Sequence, residues 1–251
     1  MSSQEGSLQP AWDADSNEPS DPPAEDLYAE TGIANLKGPA RFTIACLGFF
    51  IAFRLVGVLG YGLVENARHS SGDFLDIAKS LSGMAGLVGW GLGLPLVICI
   101  ILGFLVWLVG AASNAETIDE VNLRISPGWQ AGWYFAPFFN LIMPALGMHE
   151  VVSHSHVRRP DLAFLVTTLW WSTWLLGTLG IHIVRTSGLF YLSDAGYLSL
   201  TILEVTAAVL TSSAAVLLII LIRTVTRGQT AFAERVLLAG EEEDPFEILE
   251  P

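Results

Sequence analysis

The sequence predicts an all-α fold, a polytopic membrane helix bundle with four transmembrane helices and one proline-broken helical segment that is re-entrant or interfacial. Hydrophobic residues make up 52% of the 251 residues, as in proteins that cross a bilayer several times. Four apolar runs are each long enough to cross a hydrocarbon core of about 30 Å. A fifth apolar stretch contains prolines, each of which removes a backbone donor, so one unbroken helix is not expected there.

The first element is a polar tail, and charge separates it from the membrane domain. Residues 1–36 are rich in Ser, Pro, Asp and Glu, which predicts a disordered tail rather than a cleavable signal peptide. Residues 37–227 are the predicted membrane domain, with ten acidic and ten basic residues between 41 and 227. Residues 228–251 are predicted to form an acidic C-terminal tail. The net charge of −13 therefore belongs to the tails and argues against nucleic-acid binding.

The four spans follow from uninterrupted apolar composition. The first begins after Lys37 and Arg41, two cations suited to a membrane boundary. The second opens with Gly89 and Gly93, a G-x-x-x-G pair that favours close helix packing. Because a helix satisfies its own backbone in lipid, each run is predicted to be helical. In chain order the predicted spans are residues 42–64, 87–112, 162–184 and 197–222.

The unusual stretch is the central segment, residues 126–155, which lies between the second and third spans. Ser126 is predicted to cap a short helix through its hydroxyl, with Pro127 at the first helical position. Pro137 and Pro144 each remove a helical hydrogen bond, so the segment is predicted to break between them. The motif and structural residues of the segment are Ser126, Pro127, Trp129, Gly132, Trp133, Pro137, Asn140, Pro144 and Glu150.

The break is predicted to lie inside the bundle. Gly128, Gly132 and Ala136 recur every four residues and predict a small-residue face that packs against another helix. The glycine face of the second span is the predicted neighbour of the break. Asn140, the one polar side chain between the prolines, is predicted to bond to the backbone groups that they leave without a partner.

The central segment also carries a family resemblance. From Ser126 to Pro144 the chain reads S-P-G-W-x-x-G-W-Y-F-x-P-x-x-N-L-x-x-P, which resembles the hallmark of a bacterial membrane family catalogued as domain of unknown function 4328. The resemblance extends from Val88 to His182. It departs from the family after Glu150, where a Trp and a basic residue often follow and this chain has valines and a serine. The resemblance implies a membrane fold and location, and it implies no activity.

Basic residues predict the topology. If the central segment does not cross the membrane, eight cations fall on the side of the N-terminus: Lys37, Arg41, Arg124, Arg158, Arg159, Arg223, Arg227 and Arg235. Three fall on the opposite side: Arg68, Lys79 and Arg185. A full crossing gives a weaker split of seven against four. The positive-inside rule therefore predicts four spans in the inner (plasma) membrane, with both termini cytoplasmic.

Two ionisable residues lie inside the predicted spans. Arg54 is near the middle of the first span and Glu204 lies within the last, at depths that differ by about 5 Å at 1.5 Å per residue. A charge at such depth needs a partner, so the two are predicted to form an intramembrane ion pair. The alternatives are a proton or ion pathway, side chains that reach the membrane surface, or a span boundary that differs from the predicted one.

No catalytic, cofactor-binding or metal-binding residue is predicted. His149, Glu150 and His154 read H-E-x-x-x-H, so the second histidine is rotated away from the helix face that the H-E-x-x-H motif of metalloproteases uses. His156 lies nearby. This polar cluster is interpreted as a helix end at the membrane surface.

Three function hypotheses follow. The first is a non-enzymatic scaffold or partner-binding module that contacts the lipid bilayer and a membrane protein partner or a second copy of itself. The second is a small transporter or channel that uses the central segment with Arg54 and Glu204, because broken helices at membrane depth commonly line binding sites. The third is a membrane metalloenzyme.

Overall fold

The computed structural model describes residues 31–68, 73–186 and 196–242, and these ranges form helices and turns without a β-strand. The α-helices that lie wholly within them are α1 (Lys37–Arg68), α2 (Asp73–Asp119), α3 (Pro127–Gly132), α4 (Met143–Ser153), α5 (Pro160–Leu175), α6 (Ile181–Thr186) and α7 (Gly196–Glu242). Two further helical turns are a 3-10 turn at Phe139–Leu141 and a π-helical turn at Leu176–Gly180. The all-α prediction is confirmed.

Four helical stretches are long and apolar enough to cross a membrane, which confirms the predicted multi-pass bundle. Their bounds are Lys37–Gly60, Gly91–Asp119, Pro160–Val184 and Ile202–Ala239. Large apolar side chains on the outer faces of these stretches are more than half exposed, among them Phe49, Val106 and Leu165. Such a surface meets lipid rather than water, because exposed apolar area of this extent is disfavoured in a soluble protein.

The four spans pack as an open bundle rather than a closed one. Helix α1 packs against α2 and α7, and α5 packs against α7. Helices α2 and α5 form no comparable interface within the described ranges. The central segment contacts both of them, α2 through α3 and α5 through α4. It therefore closes the side of the bundle that the spans leave open.

The start of α1 and the end of α7 meet at one end of the bundle. The backbone of Ala34 exchanges two hydrogen bonds with the side chain of Asn114 on α2, at 2.7 and 3.0 Å. The amide of Asn114 also donates to Gln229 on α7 at 3.1 Å. A small apolar cluster lies at the same end: Ile33, Ile118 and Ala233.

The bundle extends further into both predicted tails than the sequence indicates. Residues 31–36 belong to it, because Leu36 is buried against the spans. Helix α7 continues through the boundary predicted at residue 227 and ends at Glu242, with Gln229 buried. The remaining residues of both predicted tails lie outside the described ranges.

Candidate functional site

The central segment breaks sharply between α3 and α4. Phe138 adopts φ 65° and ψ −45°, and the N–H of Phe139 donates to the carbonyl of Pro137 at 2.8 Å. A hydrogen bond between residues two apart, around a positive φ, is a γ-turn, and this strained geometry costs about 1–3 kcal/mol. Phe138 is 86% exposed and forms the outward tip of the segment. The break lies where the prolines predict it.

Local turns satisfy the backbone of the break. The N–H of Asn140 donates to the carbonyl of Ala136 at 2.9 Å, and the next two N–H groups donate to carbonyls three residues before them. The carbonyl of Leu141 accepts the indole N–H of Trp171 at 2.8 Å. Because lipid cannot hydrogen-bond to backbone groups, these bonds allow the break to lie at membrane depth.

The predicted packing of the break is wrong. Phe138, Phe139 and Ile142 are more than half exposed, so the break faces outward instead of lying inside the bundle. No hydrogen bond joins the Asn140 side chain to the described backbone, and its buried Oδ1 atom has no partner there. Gly128 faces open space and Gly132 faces the ring of Trp129, so the small-residue face does not meet a second helix. Gly93 of the second span faces a phenylalanine of α1 rather than the break. The surroundings of Gly89, the other glycine of that face, are not among those that the structure describes. The ring of Trp129 fills the space beside Gly132.

Glu150 joins the two ends of the central segment. Its carboxylate accepts the backbone N–H of Arg124 at 2.5 Å and that of Ile125 at 3.2 Å. Pro127 occupies the first turn of α3, as predicted, whereas the hydroxyl of Ser126 makes no capping hydrogen bond. The segment thus begins and ends at the same end of the bundle.

Two tryptophans of the motif, Trp129 and Trp133, form the outer side of the segment. The ring of Trp133 lies 5.1 Å from that of Trp129 and 5.0 Å from that of Phe139, measured between centroids. Trp129 is 58% exposed. Pro144 is buried in the first turn of α4, where its missing N–H needs no helical partner. The outer side is therefore aromatic.

A cavity of about 250 Å³ lies between the central segment and the four spans. Phe50 of α1, Ile100 of α2 and Trp171 of α5 line it, and each lies near the middle of its span. Ala215 of α7 and Tyr134 of the central segment line the cavity as well. Since α2 and α5 share no interface comparable to those between the other spans, the central segment forms much of the wall between them.

A closed ring of four aromatic side chains builds one side of the cavity. The ring of Tyr134 meets Phe104 at 5.5 Å and Trp171 at 5.9 Å, both edge to face. Trp170 completes the circle at 5.3 Å from Trp171 and 6.0 Å from Phe104. Aromatic pairs in such geometries contribute about 0.5–1.5 kcal/mol each beyond their burial. The wall is therefore preformed by its own contacts.

Two buried polar atoms belong to residues that line this cavity. They are the hydroxyl oxygen of Tyr134 and Oδ1 of Asn140, and neither has a hydrogen-bond partner in the part of the chain that the structure describes. A buried polar atom without a partner costs about 1–3 kcal/mol. The other side chains around the cavity are apolar or aromatic, and none is charged. This lining suits an apolar ligand.

Sequence reasoning missed a buried polar network at the end of the bundle. The amide nitrogen of Gln229 donates to the Ala111 carbonyl at 2.8 Å and to Ser155 Oγ at 2.9 Å. Ser155 in turn donates to the Val151 carbonyl at 2.6 Å, and Asn114 donates to Gln229 Oε1 at 3.1 Å. The three polar side chains are at most 2% exposed. They join α2 and α7 to the end of the central segment.

Asp119 contacts two histidines where the central segment ends. His154 Nδ1 lies 2.7 Å from one oxygen of Asp119, and His156 Nε2 lies 2.9 Å from the other. Among the described residues, no group of three or more His, Cys, Asp or Glu side chains could hold a metal ion. His149 lies apart from this pair, 3.2 Å from Thr168 Oγ1, and burial lowers the pKa of its imidazole.

Arg54 and Glu204 lie on two helices that pack against each other, α1 and α7. Each is half-buried, and neither lines the cavity. The ion pair between them stays a prediction.

Comparison with known proteins gives one match. The family model described as Domain of unknown function (DUF4328) matches residues 67–227, more than half of the chain. The match covers α2, the central segment, α5, α6 and most of α7, and it leaves out nearly all of α1. No curated protein and no solved structure matches.

Proposed function

The chain belongs to the DUF4328 family, and we propose that it is a multi-pass membrane protein that binds an apolar small molecule inside its helix bundle. One observation carries the proposal: a preformed cavity at mid-span level has an aromatic and apolar lining without a charged side chain. Ligand sites in proteins are mostly apolar, with a few placed polar groups that fix orientation. The cavity volume of about 250 Å³ suits a small ligand or the end of a longer one.

This proposal takes precedence over the scaffold hypothesis, because a scaffold needs a complementary surface and gains nothing from an internal cavity. It shares with the transporter hypothesis the use of the central segment as part of the site. It does not use Arg54 or Glu204, since neither lines the cavity. His154 and His156 already bind Asp119 and are not proposed as a metal site.

The test fills the cavity. Ala215→Phe adds a ring at a buried position that lines it, whereas Val216→Phe adds the same ring at the adjacent exposed position. Each protein is placed in lipid nanodiscs and titrated with a bromoalkane, whose bromine quenches nearby tryptophans such as Trp170, Trp171 and Trp174 around the cavity. We expect saturable quenching in the wild type and in Val216→Phe, and its loss in Ala215→Phe.

A melting curve in the same nanodiscs controls for folding. Ala215→Phe should keep its melting midpoint, because the added ring occupies existing space instead of displacing packed atoms. Ala214 also lines the cavity, and Ala214→Leu adds a smaller side chain there. This variant replaces Ala215→Phe in the test if phenylalanine is too large for the cavity. Saturable quenching that survives both fillings in folded protein would contradict the proposal.

We also propose that both termini are cytoplasmic and that the membrane is the inner (plasma) membrane. The eight-to-three split of basic residues supports this orientation. Reporter fusions after residue 36 and after Glu242 should both show cytoplasmic activity, and a fusion at Arg185 should report the opposite side. A periplasmic signal from either terminal fusion would rule out this topology.

The predicted ion pair can be tested independently of the cavity. Arg54→Leu and Glu204→Leu should each lower the free energy of unfolding by about 1–2 kcal/mol, less than for a fully buried pair because both residues are half-buried. The double variant should recover most of that loss in equilibrium unfolding in mixed detergent micelles. Losses that simply add would mean that the two side chains do not interact. None of these variants should change the quenching titration.

A further inference from the structure

Resting on the proposed ligand-binding function, we infer that the cavity takes the methyl end of a hydrocarbon chain from a lipid of the surrounding bilayer. The chain enters sideways, through an opening between α2 and α5 at the middle of the membrane. Three observations support this inference: the extent of the central segment, the exposed side of the cavity and the depth at which that side lies.

The central segment closes the gap between α2 and α5 over only part of its length. It starts from one end of the bundle, where Glu150 joins its two ends. Its break lies level with Trp171, whose indole donates to the Leu141 carbonyl at 2.8 Å and which lies near the middle of its span. Beyond this level, α2 and α5 share no interface comparable to those between the other spans within the described ranges. In that part of the chain, the gap between the two helices is therefore open from about mid-span outward.

The exposed residues of the cavity lie on one side of it. Two lining residues of α7, Ala215 and Leu218, are at most 6% exposed. The lining residues that are at least 36% exposed all belong to α2, the central segment and α5. They are Val97, Ile101, Phe135 and Trp174. The cavity therefore opens between α2 and α5, beside the central segment.

Packed side chains separate the cavity from the end of the bundle at which the central segment begins and ends. Trp107 and Leu108 follow the lining residue Phe104 by about one turn of α2, and both are at most 1% exposed. Leu221 follows the lining residue Leu218 by about one turn of α7 and is 1% exposed. Among the described residues, the route into the cavity is therefore lateral, from lipid, rather than from water at this end.

The depth of the opening selects the part of a lipid that can reach it. Ile101 and Trp174, on its two sides, lie near the middle of their spans. Lipid headgroups lie about 15 Å away, at the surfaces of a hydrocarbon core about 30 Å thick. The ends of hydrocarbon chains are the groups that are abundant at this level. Mass action therefore favours a chain end over a dissolved molecule as the occupant.

The volume and the lining of the cavity suit such a chain end. At roughly 30 Å³ for each water-sized group, the volume of about 250 Å³ holds about eight groups of that size. A whole phospholipid is larger, so its headgroup stays at the membrane surface while the chain runs along the gap. No lining side chain is charged. Because lipid is as apolar as the lining, the chain end is stabilised by van der Waals contacts with a preformed wall rather than by transfer from water.

The experiment places a photoreactive group at two positions of one phospholipid chain. One lipid carries a diazirine at the methyl end of the chain, and the matched lipid carries it beside the ester carbonyl. Protein in nanodiscs that contain a small fraction of either lipid is irradiated, and labelled residues are mapped by mass spectrometry. Leu218, 6% exposed in the cavity wall, reports occupancy, and Val216, 46% exposed on the same helix, reports contact with bulk lipid. Relative to Val216, the methyl-end probe should label Leu218 at least about fivefold more than the carbonyl-end probe does.

Two tryptophan variants test the opening. Ile101→Trp narrows it, whereas Leu102→Trp adds the same ring at an adjacent residue that is 58% exposed and does not line the cavity. Labelling of Leu218 by the methyl-end probe should fall by at least about fivefold in Ile101→Trp and by less than about twofold in Leu102→Trp. Melting curves check that both variants are folded. Val97→Phe narrows the same opening and replaces Ile101→Trp if that variant has a lower melting midpoint.

The outcomes separate this inference from the proposed function. Saturable bromoalkane quenching that Ala215→Phe abolishes, without labelling of Leu218 by the methyl-end probe, would leave a free apolar molecule as the ligand and overturn the lipid chain. Equal labelling of Leu218 by both probes would also overturn it, because the chain would not enter by its methyl end. Labelling that survives both Ile101→Trp and Val97→Phe would place the entrance elsewhere and overturn the lateral opening. If neither the bromoalkane nor the lipid gives a signal that depends on position 215, the proposed function itself fails.

Discussion

Replacing Gln229 with leucine is expected to lower the free energy of unfolding by about 3–5 kcal/mol. Leucine approximates the volume of glutamine and removes every hydrogen bond of its amide. The Ala111 carbonyl, Ser155 Oγ and the Asn114 amide would each lose one buried partner. Such a loss costs about 1–3 kcal/mol for each group, and partial relaxation keeps the total below the full sum. The contacts between α2, α7 and the central segment should loosen together.

Equilibrium unfolding in mixed detergent micelles measures this effect. Arg227→Leu is the matched control, because Arg227 is exposed on the same helix two residues earlier. We expect that control to change the free energy of unfolding by less than about 0.5 kcal/mol. A loss at Gln229→Leu no larger than the control would show that the network does not stabilise the bundle.

The four spans could be predicted because a transmembrane helix depends on local features. These are the length of its apolar run and backbone hydrogen bonds that all lie within the helix. The end of the last helix could not be predicted from the sequence. Residues 228–251 carry a strong acidic excess and look like a tail, but Gln229 is buried there by partners 115 and 118 residues away in the chain. No local pattern records such pairings, since they depend on how α2 and α7 lie against each other.

The central segment shows the same division between local and distant causes. Pro137 and Pro144 locate the break, because a missing N–H acts at its own position. The partner predicted for Asn140 was wrong because the turn around Phe138 satisfies nearby backbone and because Trp171 bonds to the Leu141 carbonyl. A γ-turn at a phenylalanine is too rare to expect from composition.

The cavity could not be predicted at all, although its aromatic residues stand out in the sequence. Its volume depends on the gap between α2 and α5, which the central segment bridges without filling. The useful signal was Asn140, one polar side chain in an aromatic stretch.

The second large loss of stability is expected when Gly228 is replaced. Gly228 lies beside the hydrogen-bond network of Asn114, Ser155 and Gln229. A β-carbon there would overlap the carbonyl oxygen of Ser155 and lie 3.4 Å from the carbonyl oxygen of His156. These are backbone atoms, which cannot move aside as a flexible side chain can. Gly228→Ala should therefore lower the free energy of unfolding by about 2–3 kcal/mol. Gly48→Ala is the matched control, because a β-carbon at Gly48 of α1 meets open space.

For the control Gly48→Ala, the free energy of unfolding should rise rather than fall. Alanine is favoured over glycine inside a helix, so Gly48→Ala should raise the free energy of unfolding by about 0.5–1 kcal/mol. Gly228→Ala also pushes Ser155 away from α7 and so breaks its bond to Gln229. In a protein that already carries Gly228→Ala, the change Gln229→Leu removes one hydrogen bond fewer. The loss of unfolding free energy in the double variant should therefore be about 1 kcal/mol smaller than the sum of the two single losses. Strict additivity would mean that Ser155 keeps its place when Gly228 is replaced.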